Sequence, residues 1–136
     1  MVLRLVLDTN VLVSGLLTPL GPSARLMDLV QRGEIRLLYD DRMFQEYAQV
    51  LRRVRFGFST SVVEMFLEFP GTDEEHLVAR PLPPFGPDPS DQPFLEVAVS
   101  GEADLLVTGN RKHFPQHGPR GLRIVAPAGA LKILLA

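Results

Sequence analysis

Met1-Val2-Leu3-Arg4-Leu5-Val6-Leu7-Asp8-Thr9-Asn10 is the stretch whose reading decides the fold. Val2, Leu3, Leu5, Val6 and Leu7 form a short, partly β-branched apolar run, the signature of a strand buried in a parallel sheet covered on both faces. The run stops at Asp8, and two more polar side chains follow. In open parallel sheets functional groups collect at the carboxyl ends of the strands, where the chain turns into a helix. Asp8 therefore has two readings: a half-sheltered carboxylate facing a crevice, or, with Thr9, a cap for the helix that starts near Asn10.

Outward from this stretch the pattern alternates. Pro22 suits the start of a helix, and Ala24, Leu26, Met27, Leu29 and Val30 carry helical periodicity to a C-cap at Gly33. Ile35 to Tyr39 read as a second strand, closed by Asp40 and Asp41. A helix follows from about Asp41 to Arg53, with Met43, Phe44, Tyr47, Val50 and Leu51 on one face. Glu46 lies at the edge of that face, beside Val50 in projection. It is either an acid aimed at a site or a side chain whose stem lies along the core margin while its head reaches water. The basic cluster Arg52-Arg53-Val54-Arg55 ends in Phe56-Gly57-Phe58, and Ser59 or Thr60 caps a further helix that Pro70-Gly71 would end. His76 to Ala79 suggest a weak strand or an extended segment. Prolines at 81, 83, 84, 87, 89 and 93 make the next stretch a stiff loop with polyproline-like geometry.

That loop carries Asp88-Pro89-Ser90-Asp91, after which Phe94 to Val99 form another helix. In projection Asp91 falls on the buried stripe between Leu95 and Ala98, at a helix start where a negative charge also suits the dipole. Asp104 to Val107 read as a third strand ending in Thr108-Gly109-Asn110, Leu122 to Val125 as a fourth, and Pro127 to Leu135 as a closing helix. Strands alternating with helices give an α/β domain, expected to be a three-layer α/β/α sandwich around a mostly parallel sheet, one domain over residues 1–136.

Composition bounds the function. With 136 residues and 46% hydrophobic content the chain can build a core. No cysteine is present, which excludes a disulfide framework, a zinc finger and thiol catalysis, and fits a reducing cytoplasm. No apolar run approaches the roughly 20 residues that cross a bilayer, so no membrane association is expected. A net charge of −2 argues against coating nucleic acid through bulk charge. It leaves room for an enzyme that handles one phosphodiester through metal ions. Asp8 and Asn110 follow strands, whereas Glu46 and Asp91 sit on helix positions aimed inward. Several carboxylates around one crevice repel unless a cation neutralises them. Oxygen ligands without thiolates select Mg²⁺ or Mn²⁺.

In these blocks the sequence resembles the PIN-domain family. The resemblance covers nearly the whole chain and rests on Val6 to Leu16, Phe44 to Leu51, Asp88 to Leu95 and Ala103 to Asn110. It is strongest toward the toxin-like branch of bacterial toxin–antitoxin systems. That resemblance implies a Mg²⁺- or Mn²⁺-dependent endoribonuclease, a homodimer and inhibition by a cognate antitoxin. By the resemblance Asp8, Glu46 and Asp91 match the metal-binding, catalytic acids and Asp88 an additional acid. Asn110 stands where the family usually has aspartate. Asparagine keeps a carbonyl ligand but removes a negative charge. Asn10 and Thr108 would position a ligand or the RNA substrate, with Arg52, Arg53, Arg55, Arg111 and Lys112 as candidates for phosphate contact. His113 and His117 flank Pro115 and read as surface residues. Two rivals stand beside this reading: an α/β phosphotransfer or dehalogenase-type enzyme using Asp8 as nucleophile, and a catalytically weak or inactive PIN fold that binds RNA or protein.

Overall fold

The computed structural model describes residues 2–68, 75–84, 88–110, 114 and 118–136. Its centre is β1 (Arg4–Leu7), whose Leu5, Val6 and Leu7 are all 0% exposed. Successive strand side chains point to opposite faces, so three consecutive buried residues require cover on both sides of the sheet. Burying each such side chain contributes about 1.5–3 kcal/mol.

Four strands form one all-parallel sheet in the order β2-β1-β3-β4, with β2 at Arg36–Leu37, β3 at Leu105–Val107 and β4 at Arg123–Val125. In register Leu5 faces Leu37 on one side and Leu105 on the other. Helices complete the three-layer α/β/α arrangement expected from the sequence. Among the described residues these are α1 (Thr9–Leu17), α2 (Pro22–Gln31), α3 (Asp41–Leu51), α4 (Thr60–Leu67), α5 (Gln92–Ser100) and α6 (Pro127–Leu134). Helix α2 packs on α1 and α6, and α5 lies along β1 and β3. Within the core the Tyr47 and Phe94 rings meet at a centroid distance of 6.4 Å and 45° tilt, joining α3 to α5.

The ends of the helices follow their residues. Asp8 caps α1, its carboxylate accepting from Thr9 N at 2.8 Å, so the capping reading of this residue holds. Asp40 caps α3 through Met43 N, and Ser59 caps α4 through Val62 N. Gly33 follows the last turn of α2 at φ +74°, a backbone region that glycine enters without steric cost. The second strand is shorter than Ile35 to Tyr39. Among the described residues only Arg36–Leu37 pair with β1, whereas Tyr39 turns to a parallel bridge with His76, the one ladder contact there of the His76 to Ala79 segment. Helix α4 stops at Leu67 with Glu68 as its C-cap, before Pro70-Gly71, and those two residues lie outside the described ones. No helix among the described residues is long and apolar enough to cross a membrane.

Strand order sets the location of the site. From β1 the chain moves to one side, to β2, and β3 lies on the other side of β1. The reversal leaves a crevice at the carboxyl ends of β1 and β3. Asp8 follows β1 and Thr108 follows β3, and the Asp8 N–H donates to the Val107 carbonyl at 2.9 Å across this point.

Candidate active site

Asp8 is the best-supported side chain of the crevice. It is 7% exposed, and three donors converge on its carboxylate. Thr9 N reaches Oδ1 at 2.8 Å; the Thr108 hydroxyl and Asn10 Nδ2 reach Oδ2 at 2.8 and 3.1 Å. Each donor is itself fixed. The Thr108 Oγ1 accepts from Asn110 N at 3.0 Å, and the Asn10 Oδ1 accepts from Gly109 N at 3.0 Å. The β1–α1 and β3 loops are thus stitched together around one carboxylate. Below it the Tyr47 hydroxyl donates to the Leu7 carbonyl. Burial first, then the negative charges of Asp8, Glu46 and Asp40, push the Tyr47 hydroxyl well above its ordinary pKa, so it stays a protonated donor.

Helix α3 brings Glu46 to the same place. Its Oε2 accepts from the Thr9 hydroxyl, and the side chain is half-buried, so the edge position seen in projection is an orientation toward the site. Asp91 arrives from a different element. It ends a short 3₁₀ turn, Pro89–Asp91, and precedes α5 without a side-chain capping bond. Pro93 in the first turn of α5 costs no backbone hydrogen bond, because that N–H lacks a helical partner anyway. Asp88 caps the 3₁₀ turn, accepting from Ser90 N at 2.9 Å and Ser90 Oγ at 2.8 Å.

Asp8, Glu46, Asp88, Asp91 and Asn110 line one cleft of about 360 Å³, with Asn10, Arg53 and Arg55. The structure therefore gathers the five predicted oxygen-donor residues although residues 8 and 110 are 102 positions apart. Two of the residues expected to position a ligand or contact the substrate, Thr108 and Arg52, do not line the cleft themselves. Thr108 is 0% exposed and sits behind Asp8, where it orients the carboxylate and has no surface to offer a substrate. Arg52 is the exposed C-cap of α3 and does not line the cleft, whereas its neighbours Arg53 and Arg55 do. Arg111, Lys112, His113 and His117 lie outside the described residues. Thr9, Ser90 and Phe56 were not singled out as site residues by sequence. For Thr9 the signal was its place between two polar site residues; for Phe56 it was the basic run just before it.

The donor set is all oxygen, which suits a hard divalent cation. Among the described residues no group of three or more His, Asp or Glu side chains is arranged as a ready cage for a metal ion. Mg²⁺ does not require one: it keeps several of its waters and takes one or two carboxylates directly. Asp8, oriented and largely buried, with Glu46 and Asp91 on the facing walls of the same cleft, fits that mode of binding.

A family model described as PIN domain matches residues 4–112. The chain belongs to the PIN-domain family. PIN domains are generally nucleases and typically use divalent metals. Beyond the matched stretch, β4 and α6 complete the same PIN sheet and its helical cover. No curated protein matches the chain.

Proposed function

We propose that this PIN domain is a Mg²⁺- or Mn²⁺-dependent endoribonuclease, with Asp8, Glu46 and Asp91 as its catalytic acids and Asp88 and Asn110 as further oxygen donors. The observation that carries the reading is the mounting of Asp8: a largely buried carboxylate held by three donors at the mouth of an acid-lined cleft. Preorganised groups of this kind lose nothing to reorientation when charge develops on a substrate. A divalent ion bound there supplies charge for the scissile phosphate and an acidified water. Asp8 provides an anchored anionic oxygen. Glu46 and Asp91 supply negative charge from α3 and from the start of α5, so an ion or its waters can be gripped from three elements. Arg53 and Arg55, on the cleft wall, offer guanidinium groups to neighbouring phosphates. Arg111 and Lys112, the cations that follow Asn110 in sequence, are proposed for the same role.

The motif resemblance to the toxin-like branch supports a narrower role: a cytoplasmic toxin held in check by a cognate antitoxin and acting as a homodimer. Copurification of a small neighbouring gene product with this chain, and sedimentation at the mass of a dimer, test those two points.

The direct test is cleavage of an RNA pool by the purified chain with Mg²⁺ or Mn²⁺. Cleavage that requires the metal and stops with EDTA is expected; cleavage that survives EDTA removes the metal mechanism. One observation favours a second reading, a PIN fold that binds RNA or protein with little or no catalysis. Asn110 is neutral where the resemblance expects an aspartate, so the cleft holds a divalent ion with one charge fewer. RNA binding without metal-dependent cleavage would select that reading.

A further inference from the structure

The basic-aromatic run after α3 folds into a stack. Val54–Phe56 form a 3₁₀ turn closed by Gly57 at φ +67°. The turn brings the Phe56 and Phe58 rings nearly parallel, with centroids 5.6 Å apart and planes 13° from each other. The Arg55 guanidinium carbon sits 4.9 Å from the centre of the Phe56 ring. Phe56 and Arg55 line the acidic cleft, and both phenylalanines are only half-buried. Phe58 packs against the core, whereas Phe56 and Arg55 line the cleft together with Glu46, so the aromatic–guanidinium end of the stack is the end that opens into the site.

We propose that the Phe58–Phe56–Arg55 stack is a platform for one nucleobase of single-stranded RNA next to the scissile phosphate. The proposal rests on the nuclease reading above and adds the residues of this chain that would hold a base beside the site. A base adds a further layer to a column of rings and guanidinium, either on Arg55 or on Phe56 with Arg55 turned to a phosphate. Bases stack on aromatic faces and on arginine planes alike. Stacked bases in a duplex have no free face, so the platform takes a single strand or a splayed loop. Because every base has a π-face, the contact selects strandedness and not sequence. The cleft carboxylates would repel a bare RNA backbone. An uncharged base contact beside them offsets that repulsion where added cations alone would also draw in duplex.

The test is binding, read apart from cleavage. Asp8→Asn protein, made to silence cutting, is titrated with a short single-stranded RNA carrying a fluorescent purine analogue whose emission falls when it stacks. Quenching is expected, together with weaker binding of a duplex of the same sequence. Phe56→Leu keeps the apolar volume and loses the ring, and Arg55→Lys keeps the charge and loses the plane. Each should lose roughly five- to a hundredfold in affinity, the range for removing one base-stacking partner. Replacing the reporter base by an abasic site should erase the difference between Phe56→Leu and its parent. The platform is overturned if Phe56→Leu and Arg55→Lys bind and quench like their parent, or if duplex binds as tightly as single strand. Quenching without metal-dependent cleavage by the wild-type chain keeps the platform and removes the nuclease; cleavage with unchanged Phe56→Leu binding does the reverse. No binding of either RNA overturns the platform.

Discussion

Two groups of acids lie within reach of α3, and they are held in opposite ways. In the cleft the donors described around Asp8, Glu46 and Asp88 are neutral: backbone N–H groups, threonine and serine hydroxyls, an asparagine amide. At the other group, Asp40 and Glu96 share a cation. Arg42 reaches Asp40 Oδ2 and Glu96 Oε1, each at 2.8 Å, and Glu96 also accepts from Leu82 N at 2.9 Å and Gln92 Nε2 at 3.3 Å. Burial alone would push the Glu96 carboxyl up. The Leu82 N–H, Arg42 and Gln92 outweigh it and hold the carboxyl below its ordinary value. A neutral donor orients a carboxylate without cancelling its charge, whereas a guanidinium does both. The difference separates acids whose described donors orient them without cancelling their charge from acids that fasten α3, α5 and the 82 segment to one another.

The strongest way to break this contrast is Asp8→Asn. Geometry is nearly conserved and one anionic oxygen disappears. Metal-dependent RNA cleavage should fall by roughly a hundred- to a thousandfold, the loss typical of removing one preorganised electrostatic group. Equal cleavage by Asp8→Asn, measured with labelled RNA, would end the distinction.

Arg42→Ala should do the opposite. Removing one partner of a buried ion pair costs about 3–5 kcal/mol. The Arg42 side chain is 48% exposed, so water screens part of that and about 1–2 kcal/mol is expected. Urea denaturation measures it. Cleavage per folded molecule should stay near the wild-type rate.

Asn110→Asp sharpens the cleft half of the comparison. It restores a negative donor where the chain is neutral, and the half-saturating Mn²⁺ concentration should drop about tenfold, the lower end of effects seen for groups around a metal. An unchanged metal titration would place residue 110 outside the metal's reach.

The smallest effect is with pH. Because the folded-state pKa of Glu96 lies below 4.5, its contribution to stability is complete above 4.5 and is lost as pH falls through the lowered value. Glu96→Gln should therefore flatten the acid limb of the stability profile, followed by denaturation midpoints at successive pH values.

Much of this was legible in the sequence, and the failures have physical reasons. Short apolar runs at Leu5 to Leu7 and Leu105 to Val107 announced themselves as buried parallel strands, and the polar residues after them marked the crevice. Caps at Asp40 and Ser59 are local chemistry and could be read from a few residues. Glu96 could not. It looks like the exposed member of an apolar helix, and its burial depends on Arg42, 54 positions away, and on Leu82 in the proline-rich segment. Thr108 was placed in the right loop, but only the sheet register reveals that the group it orients is Asp8 and that it lies behind that carboxylate. The choice between Arg52 and Arg53 depends on where α3 ends, and that turns on one residue.

The bond from the Thr108 hydroxyl to Asp8 closes a loop of 100 residues. During synthesis the first strand of the sheet leaves the ribosome long before its inner neighbour exists. At about 5–20 residues per second, the wait is roughly 5–20 s. A nascent or prematurely terminated chain carries Asp8 and Glu46 without the clamp that aims Asp8. The cleft is thereby completed late, by order of synthesis, once the strand that carries Thr108 to Asp8 exists.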